Sequence, residues 1–178
     1  MALIFTNTRH VAFRLAQKLK ANGFRSQHLT GELPQNQRLK VIDDFKKGKI
    51  SLLVATDVAA RGLHIDNLDM VFNYDIPQDC ENYVHRIGRT ARAGNKGKAV
   101  TLACEGTASH LQSIEKFIKM KIPVQPENFA LIANDRSYLE AHSKRTSDFD
   151  RSRNESRPYS KGRKPFRSSH SQSQTYAR

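Results

Sequence analysis

Cysteine is scarce in this chain, with only Cys80 and Cys104 among 178 residues. Two cysteines cannot build the disulfide framework of a small secreted domain, so we expect a reducing, cytoplasmic environment. The sequence also lacks an apolar run of about 18 residues and a signal peptide, because the apolar start "MALIF" is too short. The seven histidines do not have the spacing of metal ligands, so we expect no metal site. These absences predict a soluble cytoplasmic protein with no membrane span.

Acidic residues are few as well. The chain has 30 Lys and Arg against 17 Asp and Glu, which gives a formal net charge of +13 and a pI near 10. Such a balance indicates a polyanionic partner, with nucleic acid favoured over a membrane surface. The length and the 38% hydrophobic content suit one folded domain followed by a tail.

Aliphatic residues almost disappear from residue 134 onward. Residues 134–178 contain eleven Lys or Arg and five Asp or Glu, with many Ser residues and a few Pro and Gly. Because this composition cannot bury enough apolar surface to offset chain entropy, we predict a disordered basic tail at 134–178. The predicted domain is 1–125, and residues 126–133 form a connecting segment.

The last part of the tail mixes cations with aromatic residues. Between residues 151 and 178, eight Lys or Arg and one Glu surround three aromatic side chains, Tyr159, Phe166 and Tyr176. This pattern favours a sequence-tolerant, salt-dependent RNA tether, which combines phosphate neutralisation with base stacking. The alternative is a tail that only keeps the protein in solution.

Short apolar runs alternate with helical patterns in the predicted domain. We expect strands at 2–6, 26–30, 51–56, 70–75 and 98–104, and helices at 10–23, 33–48, from Asp79 onward, and at 108–120. Strands that alternate with helices of this length predict an α/β, doubly wound parallel sheet covered on both faces. In such a sheet, ligands bind at the carboxyl ends of the strands. The first strand begins directly after Met1, as expected of a chain cut at a domain boundary.

The stretch "YVHRIGRTARAG", residues 83–94, places Arg86, Arg89 and Arg92 within seven positions. One interpretation is a solvated basic helix end, whose cations complement the negative pole of the helix. A surface needed only for solubility would include Glu, however, and no Glu lies within this stretch. Arg89 and Arg92 are one turn apart, or lie across a glycine-softened helix end, and can present two planar forks to one phosphate.

A second stretch, "VATDVAARGLHI", residues 54–65, follows a predicted buried strand. Its small residues let the backbone approach a ligand closely, and Gly62 can adopt a positive φ. Taken alone, this stretch is equally typical of an ordinary strand-to-helix loop.

Five stretches occur in one order: "ALIFTNTR", "LTGELPQNQR", "ATDVAARGLHI", "VFNYDIP" and "YVHRIGRTARAG". Together they strongly resemble the second RecA-like domain of DEAD-box ATP-dependent RNA helicases, over about residues 2–125. "ARGLHI" and "LACE" are similar to the bacterial RhlB type. The resemblance implies a RecA-like fold, the P-loop NTPase-like second domain of a helicase.

The resemblance also implies roles for individual residues. Arg89 and Arg92 are implied to act in catalysis on the ATP γ-phosphate. Gly62, His64, His85 and Arg86 join them in the implied ATP-binding and interdomain set. The implied contacts to the RNA backbone are Thr8, Arg9, Gly31, Gln35, Arg38, Thr56 and Asp57.

Two positions depart from the family pattern. His64 stands where members commonly have an Asp that contacts the ATP ribose, and a neutral imidazole makes a weaker hydrogen bond than a carboxylate. Ala91 replaces the usual Gly of "GRTGR", which should be tolerated unless this position needs a positive φ.

The sequence contains no G-x-x-x-x-G-K-[ST] stretch and no Asp-Glu-Ala-Asp sequence. The resemblance therefore implies that ATP and Mg²⁺ are bound mainly by an N-terminal RecA-like domain outside this chain, and that this chain alone is inactive. The implied whole is an ATP-dependent RNA helicase in RNA degradation, with RNA as the substrate. The alternative is a non-catalytic RNA-binding or scaffold module that docks a ribonuclease, for example RNase E in a degradosome.

Overall fold

Five strands form one sheet in the order β2-β3-β1-β4-β5, and every neighbouring pair is parallel. The coordinates are a computed structural model, which describes residues 1–63, 65, 68–91, 97–125 and 133–137. The strands are β1 (Ala2–Thr6), β2 (Ser26–Leu29), β3 (Leu52–Thr56), β4 (Met70–Asn73) and β5 (Lys98–Thr101). The predicted parallel sheet is confirmed, and all five carboxyl ends lie at one edge.

The helices connect and cover these strands. They are α1 (Arg9–Ala21), α2 (Gln35–Lys46), α3 (Asp57–Ala60), α4 (Cys80–Ile87) and α5 (Ala108–Ile118), with a 3₁₀ turn at Glu105–Thr107. Ala12 and Ala16 of α1 pack against Ile4 and Val54 in one apolar cluster. The alternate strand residues, including Phe5, belong to a second cluster with α2 and α3, so helices cover both faces as predicted.

Local sequence signals set the ends of the helices. The Thr8 hydroxyl accepts a hydrogen bond from the Val11 N–H at the start of α1 (3.2 Å), and the Asp79 carboxylate accepts from Glu81 N–H at the start of α4. Helix α1 stops at the predicted Asn22-Gly23 pair, where Gly23 has φ +88°. Within the described ranges, no helix combines the length and apolarity needed to span a bilayer.

The segment after β3 is helical. The sequence left residues 54–65 equally typical of a strand-to-helix loop, whereas Asp57–Ala60 form the single turn α3, whose small residues Ala59 and Ala60 pack into the core. In α1 the fully buried residues are the two alanines, and Leu15 and Leu19 are partly buried against the same cluster. The alanines are buried because they let the helix approach the sheet closely.

Part of the predicted tail is placed against the core. Asp135 accepts a hydrogen bond from the Asn22 amide (2.9 Å) and pairs with the Lys18 ammonium (2.7 Å). The backbone N–H of Arg136 donates to the Asn22 side chain (2.8 Å). Residues 133–137 therefore rest on the C-terminal end of α1, although 134–137 were expected in the disordered tail. The predicted tail beyond residue 137 lies outside the described residues.

Candidate functional site

Arg86 of α4 is the centre of a buried polar network at the carboxyl edge of the sheet. Its side chain is 1% exposed, and its Nε and Nη2 donate to the two carboxylate oxygens of Asp57, both at 2.7 Å. This is the planar two-bond geometry that only arginine offers a carboxylate. The pair ties α4 to the start of α3.

The remaining donors of Arg86 reach two more strand ends. Nη1 donates to the Asp75 carbonyl (2.6 Å) and to the Asn73 side chain (3.4 Å), and Nη2 donates to the Asn7 side chain (3.0 Å). The guanidinium also lies over the Phe5 ring, with its carbon 5.1 Å from the ring centroid. All five N–H donors are thus used within the domain, which satisfies the desolvated charge.

The contact between Arg86 and Asp57 bears on the roles that the family resemblance implies for these two residues. Arg86 was expected at the interdomain surface, and Asp57 among the contacts to RNA. In this structure the Arg86 side chain is buried and both carboxylate oxygens of Asp57 accept from it. An interdomain contact through Arg86 would require this pair to open.

A cleft of about 180 Å³ lies between α3 and α4. Arg61, His85 and Arg89 line it, and the buried pair of Asp57 and Arg86 forms part of its wall. His85 is exposed and Arg89 is half-buried. Because Arg86 neutralises Asp57, the one carboxylate among the described lining residues, these residues give the cleft a net positive charge that suits a phosphate group.

Arg89 follows the end of α4 rather than lying on the helix. The helix stops at Ile87, and Gly88 is its C-terminal cap. Arg89 Nη1 donates to the Leu63 carbonyl (3.0 Å) in the segment after α3, and its backbone carbonyl accepts from Leu68 N–H. Because Arg92 lies outside the described residues, the predicted geometry of Arg89 relative to Arg92 stays a prediction.

Of three further predicted site residues, Gly62 is described, whereas Arg92 and His64 are not. Gly62 has φ +74°, in the left-handed region that glycine tolerates best, as anticipated. Arg92 and His64, predicted respectively to contact the phosphate and the ribose, lie outside the described residues. Ala91 has φ +56°, so the position where the family has Gly does adopt a left-handed conformation.

The remaining predicted RNA contacts lie along the carboxyl edge of β1, β2 and β3. Arg9 is exposed and forms an ion pair with Glu32, across the loop that contains Gly31. Gln35 begins α2, and Arg38 donates to the carbonyl of Ala59 in α3 (2.6 Å). The edge and the cleft thus share α3, whose first residue is bound to Arg86.

Sequence reasoning missed Asn7, Asn73 and the carbonyl of Asp75 as network members. The Asn7 amide donates to the Ile76 carbonyl (2.9 Å), and the buried Asn73 amide donates to Thr101 (3.1 Å). The available signal was a polar residue at the end of each buried strand. Among the residues that the structure describes, no three His, Cys, Asp or Glu side chains are grouped to bind a metal ion.

Comparison with known proteins decides the family. Residues 1–94 match the Helicase conserved C-terminal domain. The chain belongs to this helicase C-terminal domain family. A curated relative, the ATP-dependent RNA helicase RhlB of Shewanella baltica strain OS155, is 47% identical over 147 residues, which is 82% of this chain and 34% of the relative. This helicase C-terminal domain therefore spans about a third of the length of such relatives.

Solved structures agree with the fold. E. coli DEAD-box protein SrmB, bound to the regulator of ribonuclease activity A, matches with a TM-score of 0.68 and 37% identity, covering 71% of this chain and 74% of that one. S. cerevisiae Dbp5 bound to RNA and ADP BeF3 matches with a TM-score of 0.61 and 38% identity, covering 65% and 32% respectively. The RecA-like fold and the likeness to DEAD-box helicases of the RhlB type are confirmed.

Proposed function

We propose that this helicase C-terminal domain is the second half of an ATP-dependent RNA helicase, supplying arginine side chains to ATP hydrolysis and a backbone-binding edge to RNA. The observation that carries the proposal is the buried Arg86–Asp57 pair, which joins α4 beside the arginine cleft to α3 beside the RNA edge. The arginine cleft and the RNA edge are thereby connected by one buried pair of hydrogen bonds.

In this account the cleft binds the phosphate end of the nucleotide. ATP, bound with Mg²⁺ mainly by an N-terminal RecA-like domain, supplies the phosphoryl group that is transferred to water. Arg89, whose main chain is bonded to Leu68 and whose side chain contacts the Leu63 carbonyl, is oriented towards the cleft by these bonds. Arg89 and Arg92 stabilise the negative charge of the transition state, an effect of about 10³–10⁵-fold for arginine fingers in general.

Arg86 acts in this account as a positioning residue. Its five hydrogen bonds fix the last turn of α4, and hence the segment that begins with Arg89. His85, exposed on the same helix, faces the cleft and is available to an acidic group of the first domain.

RNA binding is assigned to the carboxyl edge through phosphate and ribose contacts, which carry little sequence information. Arg9 is 68% exposed and its partner Glu32 is 64% exposed. An exposed ion pair of this kind contributes little stability, so exchanging Glu32 for a phosphate costs Arg9 little.

The RhlB likeness supports a role in RNA degradation, with RNase E as a candidate partner. SrmB bound to a regulator of ribonuclease activity is a precedent for such a domain binding a regulatory protein. This precedent also favours the second candidate function, a non-catalytic scaffold that binds RNA and docks a ribonuclease.

The experiment compares the 178-residue chain with a fusion that places the N-terminal RecA-like domain of the Shewanella baltica relative before it. The chain alone should release no phosphate from ATP, because no residue set in it orients both nucleotide and water. The fusion should hydrolyse ATP when single-stranded RNA is added. RNA-stimulated hydrolysis by the chain alone, lost in Arg92→Ala, would contradict the two-half account, and a folded fusion that binds RNA without hydrolysis would favour the scaffold.

A further inference from the structure

A second concavity lies at the carboxyl ends of β4 and β5, and it shares Asn7 and Asp75 with the Arg86 network. It has a volume of about 390 Å³, and we call it the β4–β5 groove. Its lining includes Tyr74 and Ile76 after β4, Leu102 after β5, and His110 of α5. Tyr74 is 41% exposed and Leu102 is 51% exposed, so the groove offers apolar and aromatic surface to a ligand.

Internal hydrogen bonds hold both walls of the groove in place. On the β4 side, Asp75 accepts from the Asn7 N–H (2.8 Å) and the Asn7 amide donates to the Ile76 carbonyl. On the β5 side, the Thr107 hydroxyl accepts from Cys104 N–H and lies 3.0 Å from the Cys104 carbonyl. A groove with such fixed walls lowers the ordering cost of binding.

The charge of the groove is opposite to that of the chain. None of the ten lining residues that the structure describes is Lys or Arg, although the chain has 30 of them. Asp75 lines the groove, and its Oδ1 accepts no hydrogen bond among the described residues. Two exposed acidic residues, Asp79 and Glu105, directly follow lining residues in the sequence. Lys18, the cation near Tyr74, is paired with Asp135.

We propose that the β4–β5 groove docks an extended segment of a partner protein that carries Arg or Lys beside an aromatic or large aliphatic side chain. The apolar side chain packs against the exposed Tyr74 and Leu102, and the cation pairs with Asp75. Strand β5 is the edge of the sheet in the described part of the chain, so an extended segment can pair beside it. RNA suits the groove less well, because no Lys or Arg among the described lining residues can neutralise phosphate.

The test measures fluorescence anisotropy of two labelled, end-capped peptides on the full 178-residue chain. One peptide alternates Arg and Phe, and the other has Glu in place of each Arg. A chain of charge +13 should prefer the acidic peptide on net charge alone, whereas the groove predicts saturable binding of the Arg-Phe peptide and at least about tenfold weaker binding of the Glu-Phe peptide.

Variants locate the site. Leu102→Gln, Asp75→Asn and the exposed Glu105→Gln should each weaken the Arg-Phe peptide, the first two by roughly tenfold. Leu39→Gln and Asp43→Asn, exposed changes on α2, are the matched controls and should leave the affinity for the Arg-Phe peptide unchanged. Circular dichroism checks folding, and Glu105→Gln keeps the test informative if a groove variant unfolds.

Equal binding by groove and control variants would overturn the proposal. So would displacement of the peptide by a uridine decamer whose own affinity falls in Leu102→Gln, which would assign the groove to RNA.

Discussion

Among the single residues of the network described above, Arg86 forms hydrogen bonds to the largest number of strand ends. Its guanidinium contacts residues that follow β1, β3 and β4, and each contact depends on the planar fork. A lysine at this position would keep the charge but would have only three donors, on a shorter and flexible four-carbon chain that cannot reproduce the planar fork.

Arg86→Lys should therefore lower the free energy of unfolding by about 2 kcal/mol, because the partly buried hydrogen bonds to Asp57 and Asn7 are lost around a buried charge. Urea denaturation of the full chain measures this change. Arg14→Lys, an exposed change on α1, is the control and should leave the midpoint unchanged. A loss no larger than that of the control would show that the network does not stabilise the domain.

Ala91 is a second single residue whose substitution tests the structure, because its backbone is left-handed. Its φ of +56° places a Cβ where the left-handed conformation disfavours it. Ala91→Gly should raise the free energy of unfolding by about 1 kcal/mol. Ala21→Gly, at the last residue of α1, should instead lower it or leave it unchanged. A destabilised Ala91→Gly protein in urea denaturation would show that the left-handed conformation is not strained.

At the scale of elements, the described C-terminal segment 133–137 depends on one carboxylate. Hydrogen bonds from Asn22, Lys18 and Ser137, in that order, hold the pKa of the Asp135 carboxyl well below its ordinary value of 3.8. A carboxyl whose pKa is lowered by folding stabilises the folded form above the unfolded pKa, and this contribution is lost as the pH falls through the folded pKa.

The contact between 133–137 and α1 should thus be complete above about pH 4 and weaken progressively below it. The amide resonances of Arg136 and Ser137, followed by NMR during an acid titration, measure this loss. Asp135→Asn should already show the low-pH resonances at neutral pH. A spectrum of Arg136 that is identical in this variant at neutral pH would contradict the contact.

The sequence predicted some elements well and others poorly, for physical reasons. Strand β1 and helix α4 were predictable because apolar runs and the Asp79 cap are local signals. The register that brings Asn7, Asp57 and Asn73 around one guanidinium is set by the order of the strands, which no local pattern contains. The burial of Arg86 was missed for the same reason, since its partners are between 11 and 79 positions away.

At the scale of the whole molecule, charge is unevenly distributed along the chain. Residues 142–178 contain ten Lys or Arg and three Asp or Glu. Deleting 142–178 keeps the segment that contacts α1, and it tests the RNA-tether prediction.

The shortened chain should bind single-stranded RNA more weakly at low salt, with a flatter slope of log affinity against log salt concentration, because fewer phosphates are neutralised. Filter binding at several salt concentrations measures the slope. An unchanged affinity and slope would leave the tail with a solubilising role alone.

The central claim is that the arginines after α4 act on phosphate rather than on RNA. The decisive measurement is RNA-stimulated ATP turnover and RNA affinity, side by side, in the fusion with the N-terminal RecA-like domain, for Arg89→Ala and for the exposed control Arg14→Ala. The account predicts that Arg89→Ala lowers kcat by about 10³-fold, changes the Kd for RNA by less than about twofold, and leaves the protein folded. Equal losses of turnover and RNA affinity, or a kcat like that of the control, would contradict it.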